Sequence, residues 1–461
     1  MQLTEPTVGP ILGAVSPSSA RIFLRGELEL VGQQPRWAHG AVRYKKRGDS
    51  KFGAPRFVKL NSVFDMSGVA VLEGLEADTQ YEYQAGWFFR DLDTKDLSAT
   101  QELSWGTVPT WSFKTASANA SAPRSFVVGS CRYLLRLLGG AILDERGDKT
   151  FEAIRNQIED GRGVDALLML GDQIYADDLR VNGDRTVDDF YARYRDAFGT
   201  KHLRGLMQRV PTYMTLDDHE IEDGWPARAT KSDYMYKYPA AMYGYQAYQL
   251  SHSPAFPVSQ GRIEGTPKRF WYSFSDGCAD FFVTDCRTER LLGTGNDRMV
   301  GVAQLDALKQ WLSDGSGRIK FIASSVPPFG VSGSDKWDAF SSQRNELLDH
   351  ISDAKVRRVV FLSGDVHASF TTELVADNDP SFKVLSIVSS AFFWPLPGLH
   401  ESHFQAEGAL ASNSAKGFRI RRRSPVQQRN NFTRVTCDLN KLTAQVYSRK
   451  GDDLGHTTYE F

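Results

Sequence analysis

The chain has 461 residues, of which 41% are hydrophobic and 24% charged, with a formal net charge of -1 at pH 7. That length exceeds one ordinary hydrophobic core, so two domains are expected. The near-neutral balance argues against nucleic-acid binding as the main role, and no apolar run approaches the roughly 20 residues that cross a bilayer.

Residues 1–6 carry no basic, apolar or twin-arginine leader. Cys131, Cys278, Cys286 and Cys437 are scattered, without zinc-type spacing or a disulfide framework. Both features read as a cytoplasmic protein. Residues 1–115 then read as all-β. Short runs of strand character at 20–25, 41–44, 56–60, 69–72 and 110–115 are separated by turns rich in Gly, Pro, Ser and Asp. Leu75, Thr79 and Tyr81 resemble the Leu-x-x-x-Thr-x-Tyr corner of fibronectin type III sandwiches, in which the tyrosine hydroxyl pins a strand crossing to backbone. No chemical constellation appears in this module, so packing or partial covering of a site is its expected job. Residues 116–124, small and polar with Pro123, read as a linker.

From residue 125 to 461 strands and helices alternate. Strands are predicted at 125–129, 166–170, 211–216, 278–284, 319–324, 358–363 and 383–388. Helices are predicted at 149–159, 187–198, 234–249, 303–312 and 341–352, and a closing hairpin at 432–438 and 442–447. This pattern implies an α/β layered domain with a mixed sheet. The tyrosines of 234–248 read as helix packing, and Phe392-Phe393-Trp394-Pro395 as a buried loop or a pocket wall. The basic run 419–423 reads as a solvated loop or a salt-bridged rim.

Four loops each follow a predicted strand with metal-competent or proton-transferring side chains. They are Gly129-Ser130-Cys131-Arg132, Gly171-Asp172-Gln173-Ile174-Tyr175, Leu216-Asp217-Asp218-His219-Glu220 and Ser363-Gly364-Asp365-Val366-His367. Ligands at the carboxyl edge of a sheet are usual in open α/β folds. Singly, an aspartate there is a common turn former and a cysteine a common core residue. Four such loops in one domain point to a shared site.

The order and wording of these loops resemble the alkaline phosphatase D (PhoD-like) family of the calcineurin-like metallophosphoesterases. The resemblance covers most of the chain, including a small fibronectin-like domain ahead of the catalytic one. It implies two mixed β-sheets flanked by helices. It also implies metal-dependent hydrolysis of phosphate monoesters or diesters by a hydroxide or oxide held between metals. Under it Asp172 bridges two cations, Cys131 and Tyr175 complete a ferric iron site, and Asp218, Asp365 and His367 ligate a second ion, calcium. Magnesium, manganese and zinc stay open as alternatives. His219 becomes the group that donates a proton to the leaving alkoxide or stabilises the pentacoordinate phosphorus. Arg132, beside Cys131, and Arg287 in Thr284-Asp285-Cys286-Arg287 are candidates for holding phosphate oxygens, with plain salt bridging as the alternative. The wider superfamily opens with Asp-x-His and places a lone histidine before its last motif. Here Ser130-Cys131-Arg132 and Ser324-Ser325-Val326 stand in those places. Two alternatives remain, a phospholipase D-type phosphodiesterase and a non-catalytic phosphatase-like scaffold.

Overall fold

The structure is a computed structural model that describes residues 1–98, 102–137, 142–177, 185–293, 295–411, 414 and 416–461. Two large mixed sheets lie face to face. The first runs in the order Thr212–Thr215, Ala166–Leu170, Arg124–Gly129, Asn431–Cys437, Lys441–Ser448, Asp453–Glu460. Its first three strands are parallel and its last three form an antiparallel meander. The expected closing hairpin is therefore a three-stranded meander, docked on Arg124–Gly129.

The second sheet has eight strands, with Ala279–Val283, Ile319–Ser324, Val359–Ser363 and Asp379–Val388 parallel at its centre. The short parallel strands Ala166–Leu170, Ile319–Ser324 and Val359–Ser363 are buried along their whole length, as expected of strands covered on both faces. Between the sheets Phe126 meets Phe281 and Phe321 edge-on at 5.2 and 5.1 Å. Among the described helices, Asp148–Glu159, Val187–Gly199, Lys201–Met207 and Tyr238–Tyr245 contribute to the core on the first sheet's side. Val302–Leu312 and Ser341–Asp353 pack on the outer face of the second. The predicted helix 234–249 is a short α-helix between two π-helical turns, Asp233–Lys237 and Gln246–Leu250. The basic run 419–423 falls largely on the strand Phe418–Arg422, where Arg419, Arg421 and Arg422 are exposed.

The N-terminal part forms two antiparallel sheets around a core that includes Ile22, Leu24, Val42, Tyr83, Trp87 and Phe113. One of them is extended by the hairpin of Val258–Ser259 and Arg262–Ile263, which comes from far downstream. The Tyr81 hydroxyl accepts the Glu76 N–H at 2.9 Å, five residues upstream. Several contacts tie this part to the layered body. The Tyr83 hydroxyl donates to the Gln208 carbonyl at 2.7 Å, and Asp65 accepts from Arg25, Arg195 and the Tyr248 hydroxyl. No helix among the described residues is long and apolar enough to cross a membrane.

His252 seals the same junction. Its imidazole is fully buried and donates from Nε2 to the Tyr248 carbonyl at 3.1 Å, while Gly13 leaves room for the ring by lacking a Cβ. Burial pulls its pKa down to about 4, from 6.5. The folded value lies below the unfolded one, so stability is fully present above the unfolded value and drains away as pH falls towards 4. The shift corresponds to about 3 kcal/mol. Urea unfolding at pH 7 and pH 4 should show the wild type losing about that much relative to His252→Gln. Parallel pH profiles would refute it.

Candidate active site

The parallel strands of both sheets end at one edge of the molecule, and this brings the loops together. The Cys131 N–H donates to the Gly171 carbonyl at 3.1 Å, and Phe392 N–H to the Ser130 carbonyl at 2.8 Å. Two glycines make the approach possible. A Cβ on Gly171 would stand 2.4 Å from the Asp217 Cβ, and one on Gly364 would stand 2.3 Å from the Ser130 Oγ. Cys131, Asp172, Asp365 and His367 all have positive φ, at 55°, 56°, 73° and 50°. Such backbone costs on the order of 1–3 kcal/mol per residue, and here it turns each side chain off its strand end into the common crevice.

Asp172, almost fully buried, is at the centre. The Cys131 thiol donates to its Oδ2 at 3.3 Å, and the Tyr175 hydroxyl lies 3.5 Å from the same oxygen. Its Oδ1 is buried without a hydrogen-bond partner. Burial, only partly offset by His219, pushes the Asp172 carboxyl well above the usual range. Burial and then Asp172 and Asp365 push the Cys131 thiol up, and burial and then Cys131 and Asp172 do the same for Tyr175. A desolvated carboxylate, thiol and phenol around one point form a costly arrangement for a protein alone. A cation inverts that logic, because its charge favours every deprotonated donor. The donor set fits a metal.

Two compact groups of donors share Asp218. Ligand atoms of Asp172, Asp218 and His219 lie within 4.8 Å of one another, as do those of Asp217, Asp218 and Asp365. Asp218 Oδ2 accepts the Gly224 N–H at 2.6 Å, while its Oδ1 has no hydrogen bond and stands 3.4 Å from Arg287 Nη2. Burial would raise Asp218, but Arg287 and His219 outweigh it and hold the carboxyl low. His367 belongs to neither group. Its ring stacks on Trp394 at 4.1 Å, and burial with His219 and Lys336 nearby pulls it down to about 3, which keeps a neutral imidazole.

His219 Nδ1 is held by both oxygens of Asp177, at 2.9 and 3.0 Å, which leaves Nε2 for the site. Burial would lower His219, but Asp218, Asp172 and Asp177 together raise it well above its usual value. Glu220 organises the loops. It accepts the N–H groups of Asp172, Gln173 and Asp217 at 3.0, 2.6 and 2.7 Å, and the Gln249 amide at 3.0 Å.

Of the two expected phosphate-holding arginines, Arg287 is in the cluster and Arg132 is not. Arg287 is fully buried, with Nε on Asp217 and Nη1 on the Trp225 carbonyl at 3.1 Å, and its Nη2 has no hydrogen bond. Arg132 turns away. Its guanidinium donates to the Ala197 carbonyl and Thr200 Oγ1, both at 2.7 Å, and lies over the Phe151 ring. At 1% exposure it serves packing, because its backbone continues the loop while its side chain enters the helical layer.

Asp177, Asp335 and Lys336 were not anticipated, whereas Asp217 and Trp394 stand in stretches singled out above, the first in a strand-end loop and the second in a candidate pocket wall. Asp177 follows Tyr175 by two residues, so its place in the same loop was a usable signal. Asp217 precedes Asp218 and is locked by Arg287 and by the Ser325 hydroxyl at 2.7 Å. Asp335 and Lys336 follow no strand and offered no signal. Trp394 roofs the crevice, its ring against His367, Tyr175 and Tyr133 at 4.1, 5.5 and 5.6 Å.

The PhoD-like phosphatase family model matches residues 126–446. Alkaline phosphatase D of Bacillus subtilis (strain 168) is 26% identical over 224 residues, which make up 42% of this chain and 37% of that protein. A solved structure described as that of PhoD aligns over 99% of this chain and 89% of its own, with TM-score 0.71 and 17% identity. The purple acid phosphatase PPD1 from yellow lupin (Lupinus luteus) seeds aligns over 99% of this chain and 74% of its own, with TM-score 0.61 and 14% identity. At those identities the two structures speak for the fold.

Proposed function

The chain belongs to the PhoD-like phosphatase family, and from that premise we propose that it hydrolyses phosphate esters with bound metal ions. The observation that carries this reading is the buried convergence of Cys131, Tyr175 and Asp172, with Asp172 Oδ1 left unpartnered. In our reading Cys131, Tyr175 and Asp172 hold ferric iron, a hard ion suited to phenolate. Asp218 and Asp365, with Asp217 beside them, would hold a second ion, and this oxygen-rich set would suit calcium. His367, expected as a further ligand, would have to leave its stack on Trp394 to join them. When bound, the metals supply a hydroxide at neutral pH and neutralise charge that builds on the phosphoryl oxygens.

The chain's own residues do the rest. His219, as the imidazolium that Asp177 supports through Nδ1–H, donates its Nε2 proton to the leaving alkoxide oxygen. Arg287 Nη2 offers a buried donor to a phosphoryl oxygen. Glu220 keeps the Asp172 and Asp217 loops in register, and Trp394 limits the entry of water beside His367. We read residues 1–115 as a fibronectin III-like sandwich, 116–124 as a linker and 125–461 as the catalytic domain. The Tyr81–Glu76 contact supports the first of these.

Elemental analysis and a visible absorption spectrum of the purified protein test the reading. Iron with a charge-transfer band that disappears in Tyr175→Phe is expected, together with phosphoester hydrolysis. No bound metal and no hydrolysis after iron and calcium are supplied would sink it, and would leave a phosphatase-like scaffold.

A further inference from the structure

The Arg287 guanidinium has a neighbour of the same sign. Lys336 Nζ is bonded to Asp335 Oδ2 at 2.7 Å and to Asp365 Oδ2. Arg287 Nη2 stands 3.7 Å from Asp335 and 3.9 Å from Asp365, so the same two carboxylates flank both cations. Lys336 is not free to wander. Trp337, next in the chain, is 1% exposed and donates from its indole to Ser324 Oγ at 3.1 Å, and the Lys336 N–H donates to the Gly333 carbonyl.

Their positions differ in a useful way. Arg287's side chain is wholly buried, whereas those of Lys336 and Asp335 keep 10% and 25% exposure, so Lys336 stands towards the mouth of the crevice. His219 belongs to the other donor group around Asp218, its ligand atom within 4.8 Å of those of Asp172 and Asp218. Asp217, Asp218, Asp335 and Asp365 offset the two cations in the metal-free protein. Metal ions would take up the charge of the Asp217, Asp218 and Asp365 group, leaving the pair to an anion. A dianion gains more from the pair than a monoanion.

We propose that Arg287 and Lys336 together bind the non-bridging oxygens of the substrate phosphoryl group, and that Lys336 makes the site favour phosphomonoesters over diesters. The proposal rests on the phosphohydrolase reading above and names its substrate class. A monoester carries close to two negative charges at neutral pH and presents three terminal oxygens. A diester carries one charge spread over two terminal oxygens, so the cation pair meets about half the charge that a monoester dianion brings. Lysine suits this task as a compact point charge, while the planar Arg287 fixes direction.

The test uses the full chain, metal-loaded, as wild type, Lys336→Met and Lys336→Arg. The substrates are p-nitrophenyl phosphate and bis(p-nitrophenyl) phosphate, which share a leaving group. In Lys336→Met, kcat/KM for the monoester should fall about 10- to 100-fold, mainly through KM, as expected for one lost charge-assisted hydrogen bond. Diester kcat/KM should fall by a clearly smaller factor, no more than a few-fold, and metal content should stay at the wild-type level. Inorganic phosphate, titrated by calorimetry, should bind more weakly by a similar factor, and Lys336→Arg should recover most of the loss. Parallel loss on both esters, or loss of metal in Lys336→Met, would overturn the proposal in favour of a purely structural ion pair. If the wild type cleaves neither ester, the phosphohydrolase reading fails, and the phosphate titration still decides whether Lys336 binds the anion.

Discussion

Asp172→Asn is expected to abolish hydrolysis while making the metal-free protein more stable. The substitution keeps the shape of the side chain and removes its charge. In the wild type burial opposes ionisation of this carboxyl, only partly offset by His219, and Asp217, Asp218 and Glu220 add to the cost. Relieving that cost should raise the stability of the chelator-treated protein by about 1–2 kcal/mol. Metal binding should suffer in the opposite sense, because a neutral amide replaces the one carboxylate common to the thiol, the phenol and the Asp218 group. Loss of activity should reach at least about 1,000-fold, more than removal of a single transition-state donor usually costs. Thermal unfolding of wild type and variant, each with and without metal, checks both halves. A variant less stable than wild type after chelation would show that Asp172 is a structural member of a hydrogen-bond network. Such stability bought at the cost of function is a general mark of active sites.

His219→Asn is expected to lower kcat by about 100- to 10,000-fold for esters of poor leaving groups such as alkyl phosphates, with much smaller loss for p-nitrophenyl phosphate. An alkoxide needs a proton as the bond breaks, whereas nitrophenolate is stable without one. The dependence on leaving group therefore isolates proton donation from any positional role. Asp177→Asn should give the same pattern with smaller amplitude, about 10- to 100-fold, because it removes the carboxylate that supports the imidazolium and leaves the ring in place. Metal content measured alongside is decisive, since His219 also lies within ligand distance of Asp172 and Asp218. Equal losses on both leaving groups would reassign His219 to metal binding.

Much of the layered body was legible because its parallel strands are short, wholly apolar and punctuated by Gly-Asp or polar turns. Residues 166–170 and 319–324 were located to the residue by that contrast. The strands Tyr272–Asp276 and Phe370–Ala376 were not, because half-polar segments at a sheet's flank resemble loops. The hairpin of Val258–Ser259 and Arg262–Ile263 was likewise invisible: two-residue strands have no periodicity, and only their docking on the Ser67–Glu73 strand orders them.

At the site, Cys131, Asp172, Tyr175, Asp218, His219 and Asp365 could be read from strand-end motifs, since those loops carry their side chains to one edge whatever the details of packing. By itself the sequence determined which residue types reach the crevice. The tertiary structure alone decided where each side chain points. Arg132 and Arg287 look alike as residues beside a strand end, yet one enters the helical layer against Thr200 and Phe151, and the other is clamped by Asp217 beneath Asp218. Lys336 reaches the same place from a segment without a motif, held by the burial of Trp337. The physical reason is the range of the forces involved. Backbone periodicity and turn chemistry act over a few residues and are written locally. The partner of a buried charge is chosen by the packing of segments more than 100 residues apart, as in the bond from Ser325 to Asp217.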